Sequence, residues 1–234
     1  MGIFNRFARK KPMISRENRA RRVLWCPRVR NWDVVGHWSR IIFSDESRFN
    51  LGFNDGRVRV WRENGEAFHP QNQVQVRRQG SCSVLLWGCM SDEGVGELVV
   101  VDGNLNHQGY IAILDENLLL SVENTLGHQN MPFLFQHDNA PVHTARNVEA
   151  WFDQHEIQVI QWPAQSPDLN PMENVSGELS RQASRERPAN KNELLRCSFR
   201  CWRNLATNYI QSLYRSLPRR VRGIIRSRSY GTKY

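Results

Sequence analysis

The sequence predicts an α/β fold, a mixed sheet with helices packed on its faces. Short apolar runs rich in β-branched and aromatic residues cluster in the first half. Later runs of that kind alternate with segments of helical spacing. The resulting order is a set of antiparallel-type strands, a helix, a strand, a helix, a strand and then helices, which is that of a mixed sheet. With 234 residues, 40% of them hydrophobic and 24% charged, the chain can bury one good-sized core.

Ser15 is a good N-cap with Glu17 in the first turn of a helix that Pro27 stops near Cys26. Residues 31–39 are aromatic-rich and admit a second short helix, and residues 40–46 read as a buried strand. A hairpin is expected next: residues 49–53 are extended, Asn54-Asp55-Gly56 is a turn signal, and residues 57–61 alternate with period two. A polar loop runs from Asn64-Gly65 to about Gln79. Residues 83–90 read as a central strand, 91–96 as a turn and 97–101 as another strand. Residues 106–124 carry helical spacing through Tyr110, Ile113, Leu114 and Leu118. A buried strand over 132–136 leads to Asp138. Residues 143–155 form a helix with Val148, Trp151 and Phe152 on one face, and 157–161 a last short strand. After a loop over 162–170, helices are expected over 171–186 and 190–208. From Tyr209 onward the chain reads as a basic tail in which Ser216-Leu217-Pro218 can cap a short helix.

Charge divides the chain. Residues 1–40 carry 11 basic against 2 acidic side chains, 41–179 carry 7 against 19, and 180–234 carry 14 against 2. Basic arms around an acidic centre suit an enzyme that grips a polyanion and holds metal ions with carboxylates; a soluble protein with a basic tail is the plainer alternative. No apolar run approaches the roughly 18 residues that cross a bilayer, and the N-terminus lacks a secretory apolar stretch, so no membrane is expected and an intracellular location is. Cysteines 26, 82, 89, 197 and 201 form no paired framework. Cys197 and Cys201 share a helix face without further zinc ligands nearby, so reduced, buried thiols are expected.

Three carboxylates stand at element ends: Asp45 closes an apolar strand, Asp138 follows another, and Glu173 starts a helix, with 34 residues between the last two. Acidic groups so placed are what two-metal phosphodiester chemistry requires. Each also has a structural reading. Asp45 suits a turn after its strand, and Asp138-Asn139-Ala140-Pro141 an Asx-type turn. Asn170-Pro171-Met172-Glu173 has the pattern of a capping box. Glu46 is expected to play no part, because neighbouring strand side chains point to opposite faces. Trp61, Trp87 and Trp162 are expected in the core.

Five ordered motifs carry a resemblance. They are Ile42-Phe43-Ser44-Asp45-Glu46-Ser47-Arg48-Phe49, Gly56-Arg57-Val58-Arg59-Val60-Trp61, Val84-Leu85-Leu86-Trp87-Gly88, His137-Asp138-Asn139-Ala140-Pro141-Val142-His143-Thr144-Ala145 and Trp162-Pro163-Ala164-Gln165-Ser166-Pro167-Asp168-Leu169-Asn170-Pro171-Met172-Glu173-Asn174. Together with the 34-residue interval, they make the chain from about Lys11 to Tyr234 resemble the catalytic domain of Tc/mariner transposases. The resemblance implies an RNase H-like mixed five-stranded sheet flanked by helices. It implies a cut-and-paste DNA transposase in which Asp45, Asp138 and Glu173 hold two Mg²⁺ ions, with Mn²⁺ able to substitute. Asp45 would bridge both ions, Asp138 would hold one, and Glu173 would complete the second ion's shell. Hydrolysis at each transposon end would be followed by attack of the freed 3′-OH on TA target DNA. Double-stranded DNA, a homodimer on that DNA and a nuclear location follow. Asn139 and His143 would support the site, or cap the helix beginning there, and Arg219, Arg220 and Arg222 would touch DNA.

The division expected is residues 1–38 as a basic linker with short helices, 39–186 as the catalytic domain and 187–234 as C-terminal helices and basic tail. The segment from Leu51 to about Gln79 matches a family extension that helps to clamp subunits and DNA ends. Family members carry two helix-turn-helix units ahead of this domain, of which the sequence has only the connecting link, so element-specific readout is expected to be missing. Val175-Ser176 stands where Leu-Trp is usual after Glu-Asn, and Ser180 replaces a usual Lys, changes expected to loosen the helix under Glu173. These departures motivate the alternative of a catalytically silent remnant that binds DNA or dimerises. A generic metal nuclease would share the carboxylates but not the motif set.

Overall fold

A computed structural model describes residues 14–51, 83–126, 132–227 and 229. The expected hairpin, the polar loop to Gln79, Trp61, Cys82 and the basic start of the chain lie wholly or mostly outside the described residues.

Five strands form one mixed sheet: β1 (Ile41–Asn50), β2 (Ser83–Ser91), β3 (Gly94–Val101), β4 (Leu134–Gln136) and β5 (Gln158–Val159), in the order β3-β2-β1-β4-β5. β1 pairs antiparallel with β2, and β2 with β3; β4 lies parallel to β1, and β5 to β4. This is the predicted mixed five-stranded architecture. β1 runs four residues past the predicted end, through Ser47, Arg48, Phe49 and Asn50, because each pairs with β2 between Leu86 and Ser83.

Side-chain alternation sends the sheet's residues into two cores. Ile41, Phe43 and Phe49 of β1 join Leu86, Trp162, Val175, Trp202, Tyr214 and Val221 on one face. Ile42 joins Trp87, Tyr110, Leu114, Phe135, Val148 and Phe152 on the other. The first face is covered by α1 (Arg16–Trp25), α5 (Met172–Arg185), α6 (Lys191–Arg203) and α7 (Thr207–Ser227). The second is covered by α2 (His107–Ile113), a π-helical turn (Leu114–Leu118), α3 (Leu119–Leu126) and α4 (Arg146–Gln154). Trp87 and Trp162 are core residues, as expected. So are the free thiols of Cys26, Cys89, Cys197 and Cys201.

Several predicted elements change. Ser15 caps α1 as expected, its hydroxyl accepting from the Asn18 N–H at 3.1 Å. Within residues 31–39 there is no α-helix, only turns and the start of a 3₁₀ turn at Trp38–Arg40. The basic tail proves to be α7, 21 residues long with Pro218 inside it. An interior proline costs about 3 kcal/mol or more. The helix continues because Ile210, Leu213, Tyr214, Leu217, Val221 and Ile224 make one buried stripe along its length. The Tyr214 hydroxyl lies 2.8 Å from Ile41 O and 3.1 Å from Met90 O, tying this helix to the two central strands.

Candidate active site

Asp45 lies on the face of β1 that looks toward α5, directly across from Gly88 on β2. Glycine suits that partner position: a Cβ at Gly88 would come within 3.0 Å of the Trp202 ring and 3.1 Å of Leu98 Cδ1. The parallel register sets Phe43 beside Gln136. Asp138 follows two residues after the end of β4, near enough for its charge to reach Asp45. Glu173 is the second residue of α5, just after the proline-rich loop.

Local bonds hold that loop against β1. Asn170 donates from Nδ2 to Ser44 O at 3.3 Å and accepts at Oδ1 from the Met172 N–H at 3.0 Å. The predicted capping box does not form: the N-cap of α5 is Pro171 without a side-chain bond, Asn170 Oδ1 takes the Met172 N–H in place of that of Glu173, and the Asn170 N–H donates to Ser166 O at 3.3 Å. The departures at Val175 and Ser176 do not unseat α5. Val175 is fully buried with Met172, Leu179 and Ala183, and Ser47 Oγ donates to Ser176 Oγ at 2.7 Å.

The carboxylates feel one another. Burial, then the charges of Glu173, Glu46 and Asp138, hold Asp45 well above the usual carboxylate range. Glu173 is solvent-accessible, yet partial desolvation raises it too. Asp138 moves the other way, lowered chiefly by its hydrogen bond from His143. Asp138 also makes the Asx turn, accepting the Ala140 N–H at 2.9 Å. Among the described residues no three His, Cys, Asp or Glu side chains stand close enough to cage an ion. An open set of two or three hard oxygen donors is nevertheless what Mg²⁺ takes when water and phosphate oxygens complete its shell. A cation among these groups would relieve the repulsion that opposes ionisation of Asp45, so the donor set fits a divalent ion.

His143 is a buried bridge. Its Nδ1 meets Asp138 Oδ1 at 2.6 Å and its Nε2 meets Glu46 Oε1 at 3.3 Å. Burial opposes its charge, but these two carboxylates prevail and push its pKa up to about 10. The neighbouring His137, ring centroids 5.2 Å away and nearly parallel, is pushed down to about 3 by burial and by His143. The Tyr110 hydroxyl meets His137 Nδ1 at 3.0 Å, and its ring packs 4.3 Å from that of His143. Glu46 therefore belongs to the site's surroundings, contrary to expectation. It does point away from Asp45, but its length carries it to the His143 that also holds Asp138. Neither Asn139 nor His143 caps α4, whose N-cap is Ala145 without a side-chain bond. Asn139 instead donates to Trp162 O at 2.8 Å, pinning the end of β4 to the proline-rich loop.

Two buried arginines brace this loop from behind. Arg22, 0% exposed, makes a bidentate pair with Asp168 at 2.7 Å and 2.7 Å and donates to Gln165 O at 2.8 Å and Ser229 Oγ at 2.7 Å. Arg220 donates to Asp168 O at 3.1 Å and to Asn174 Oδ1, beside Glu173, at 2.6 Å. This corrects the expectation that Arg220 touches DNA: α7 turns it into the protein, where Ser216 Oγ accepts from it as well, at 2.8 Å. Arg219 and Arg222 are exposed. The sequence held only a faint signal for the braces, an arginine three residues before Trp25 on the apolar face of α1; the partner 146 residues away could not be read.

Residues 40–196 match the family described as DDE superfamily endonuclease. The Tcb1 transposase of Caenorhabditis briggsae is 35% identical over 233 residues, covering 100% of this chain and 84% of the relative. The Tc1 transposase of Caenorhabditis elegans is 34% identical over 235 residues with the same coverage, 100% and 84%. Among solved structures, the Mos1 mariner paired end complex with Mn superposes with a TM-score of 0.82 at 20% identity, covering 100% of this chain and 69% of that one. That likeness is one of fold, and the fold is RNase H-like. A family match over residues 40–196 and identity above 30% along the whole chain mean that this chain belongs to the DDE superfamily endonucleases as a member of the Tc1/mariner transposases.

Proposed function

We propose that the chain carries out cut-and-paste DNA transposition, cleaving phosphodiesters at transposon ends and joining the freed 3′ ends to TA target DNA. One observation carries the reading: Asp45 on β1, Asp138 after β4 and Glu173 at the start of α5 are near enough that the charges of Glu173 and Asp138 add to the burial that opposes ionisation of Asp45. In this reading the three carboxylates hold two Mg²⁺ ions, for which Mn²⁺ substitutes; Mos1 paired end complexes solved with Mn and with Mg support a divalent metal. The bound ions supply charge stabilisation at the attacking and leaving oxygens. Asp45 contributes an acidic group made costly to ionise by its neighbours, and so primed to gain from a cation. His143 keeps Asp138 oriented and ionised. The Asn170 bond to Ser44 O, with Arg22 and Arg220 behind the loop, holds Glu173 over β1.

A homodimer on double-stranded DNA belongs to the same proposal, supported by the Mos1 paired-end complex with left transposon end and the Mos1 Strand Transfer Complex; a nuclear location is proposed with it only because the DNA to be cut would lie there. The silent-remnant alternative is not favoured, since all three carboxylates are present and α5 is firmly seated. The test is Mg²⁺- or Mn²⁺-dependent nicking of duplex transposon-end DNA, with Asp45→Ala as control. Folded wild-type protein that never nicks, or an Asp45→Ala variant that nicks equally well, would sink the enzymatic reading.

A further inference from the structure

Helix α7 has a second face that the catalytic arrangement does not use. Its buried stripe packs into the core, and Arg220 turns inward to Asp168 and Asn174. On the opposite side Asn208, Ser212, Arg215, Arg219, Arg222 and Arg226 are all exposed, in alternating steps of four and three. At about 100° per residue the four arginines fall within an arc of about 60°, and at about 1.5 Å per residue they span about 16 Å of helix. The helix contains no acidic residue. Among the described residues none of these four arginines is paired with a carboxylate; the one bond in the row is from Arg215 to Gln211 at 3.3 Å. The 3₁₀ turn Cys26–Val29 packs against α7 and adds exposed Arg28, with exposed Arg30 just after it.

Every charged member of the row is arginine, whose planar fork suits phosphate oxygens. The row's length matches several phosphates of one strand at about 3.4 Å of helix axis each. A membrane surface is a poor occupant, because the apolar face such binding inserts is already buried in the core. We infer that Arg215, Arg219, Arg222 and Arg226 form a sequence-independent docking row for the phosphate backbone of double-stranded DNA. The choice of DNA rests on the function proposed above. The row and the site are mechanically joined, since the helix that carries the row also holds Asn174, beside Glu173, through Arg220.

The test is a salt titration of the full chain on a random-sequence duplex by fluorescence anisotropy, without divalent metal. Arg215→Gln, Arg219→Gln, Arg222→Gln and Arg226→Gln are combined in one variant. A control combines Arg187→Gln, Lys191→Gln, Arg196→Gln and Arg203→Gln, which removes the same charge from exposed positions elsewhere. With about 0.9 of slope in log K against log salt per phosphate contact, the row variant loses about 2–4 of slope. Its affinity falls at least about tenfold near physiological salt. The control keeps its slope within about one contact, and replacing the row by lysines restores most of the loss. A row variant that melts like wild type and keeps the wild-type slope overturns the proposal, as does a control that loses as much. Metal-dependent nicking, measured in parallel, separates the two readings. Row-dependent binding without any nicking leaves the docking row standing and sinks the catalytic reading; nicking with row-independent binding does the reverse.

Discussion

Replacing Arg22 by methionine tests whether the brace behind the proline-rich loop matters. The substitution keeps most of the side chain's bulk and removes four bonds, to Asp168 Oδ1 and Oδ2, Gln165 O and Ser229 Oγ. Side-chain exposures are 0% for Arg22 and 12% for Asp168, so water cannot replace the lost partner. Breaking a buried pair from one side costs about 3–5 kcal/mol. Asp168 keeps other contacts, which places the expected loss near the lower end, at about 3 kcal/mol. For a chain of this size that is a fall of about 6–12 °C in midpoint. Urea unfolding of metal-free protein reads the stability directly. Adding Asp168→Leu to Arg22→Met is expected to recover a substantial part, since a paired replacement strands no charge. Well below the melting temperature, the single variant should still nick DNA more slowly, because a misplacement of about 1 Å at Glu173 can cost about 100-fold. A loss under about 1 kcal/mol, typical of a surface pair, would refute the idea that this loop is held by a desolvated brace.

Asp45→Asn should abolish nicking yet stabilise the metal-free protein at pH 7. The folded-state pKa of Asp45 is raised, so wild type loses stability as pH climbs from the ordinary carboxylate range through that pKa; unfolding at pH 5 and 8 in chelator checks this, and an asparagine variant less stable at both would contradict it. Mg²⁺ at about 100 times its Kd should stabilise wild type by about 2.7 kcal/mol and leave Asp45→Asn unmoved, as read by thermal melts. His143 is raised to about 10, so its stabilisation is full below its unfolded value near 6.5 and is lost as pH rises through about 10. Melting curves in chelator across that window should fall for wild type and stay flatter for His143→Gln. Gly88→Ala pushes a methyl within 3.0 Å of the Trp202 ring and 3.1 Å of Leu98 Cδ1; overpacking of about 1–3 kcal/mol is expected, partly relieved by Trp202→Phe.

Most of the sheet was legible because its strands announce themselves locally: Val84 to Met90 is a buried run, and the segment ending at Gln136 is bounded by Pro132 and Asp138. The end of β1 was not, because Ser47 and Arg48 look like turn residues until β2 pairs with them. α7 was missed for a similar reason. Its proline and arginines read as a tail, while the apolar stripe that overrides them matters only once there is a core to bury it. Among site residues, Asp138's Asx turn was visible in four consecutive side chains. The capping-box pattern was visible too, but the box never forms, since the helix is capped at Pro171 and Ser166 O takes the Asn170 N–H that Glu173 would have served.

Short motifs whose chemistry is local were enough for the mixed five-stranded class and the family, and they put forward Asp45, Asp138 and Glu173 as candidates. Tertiary structure alone decided what surrounds them. It carried Glu46 round to His143, buried Arg22 and Arg220 behind the loop of Glu173, and split the arginines of α7 into an inward brace and an outward row. Those assignments depend on which face of a helix or strand meets the core and on partners more than a hundred residues away, such as Arg22 and Asp168. A linear pattern gives the periodicity of a face, but not what lies opposite it.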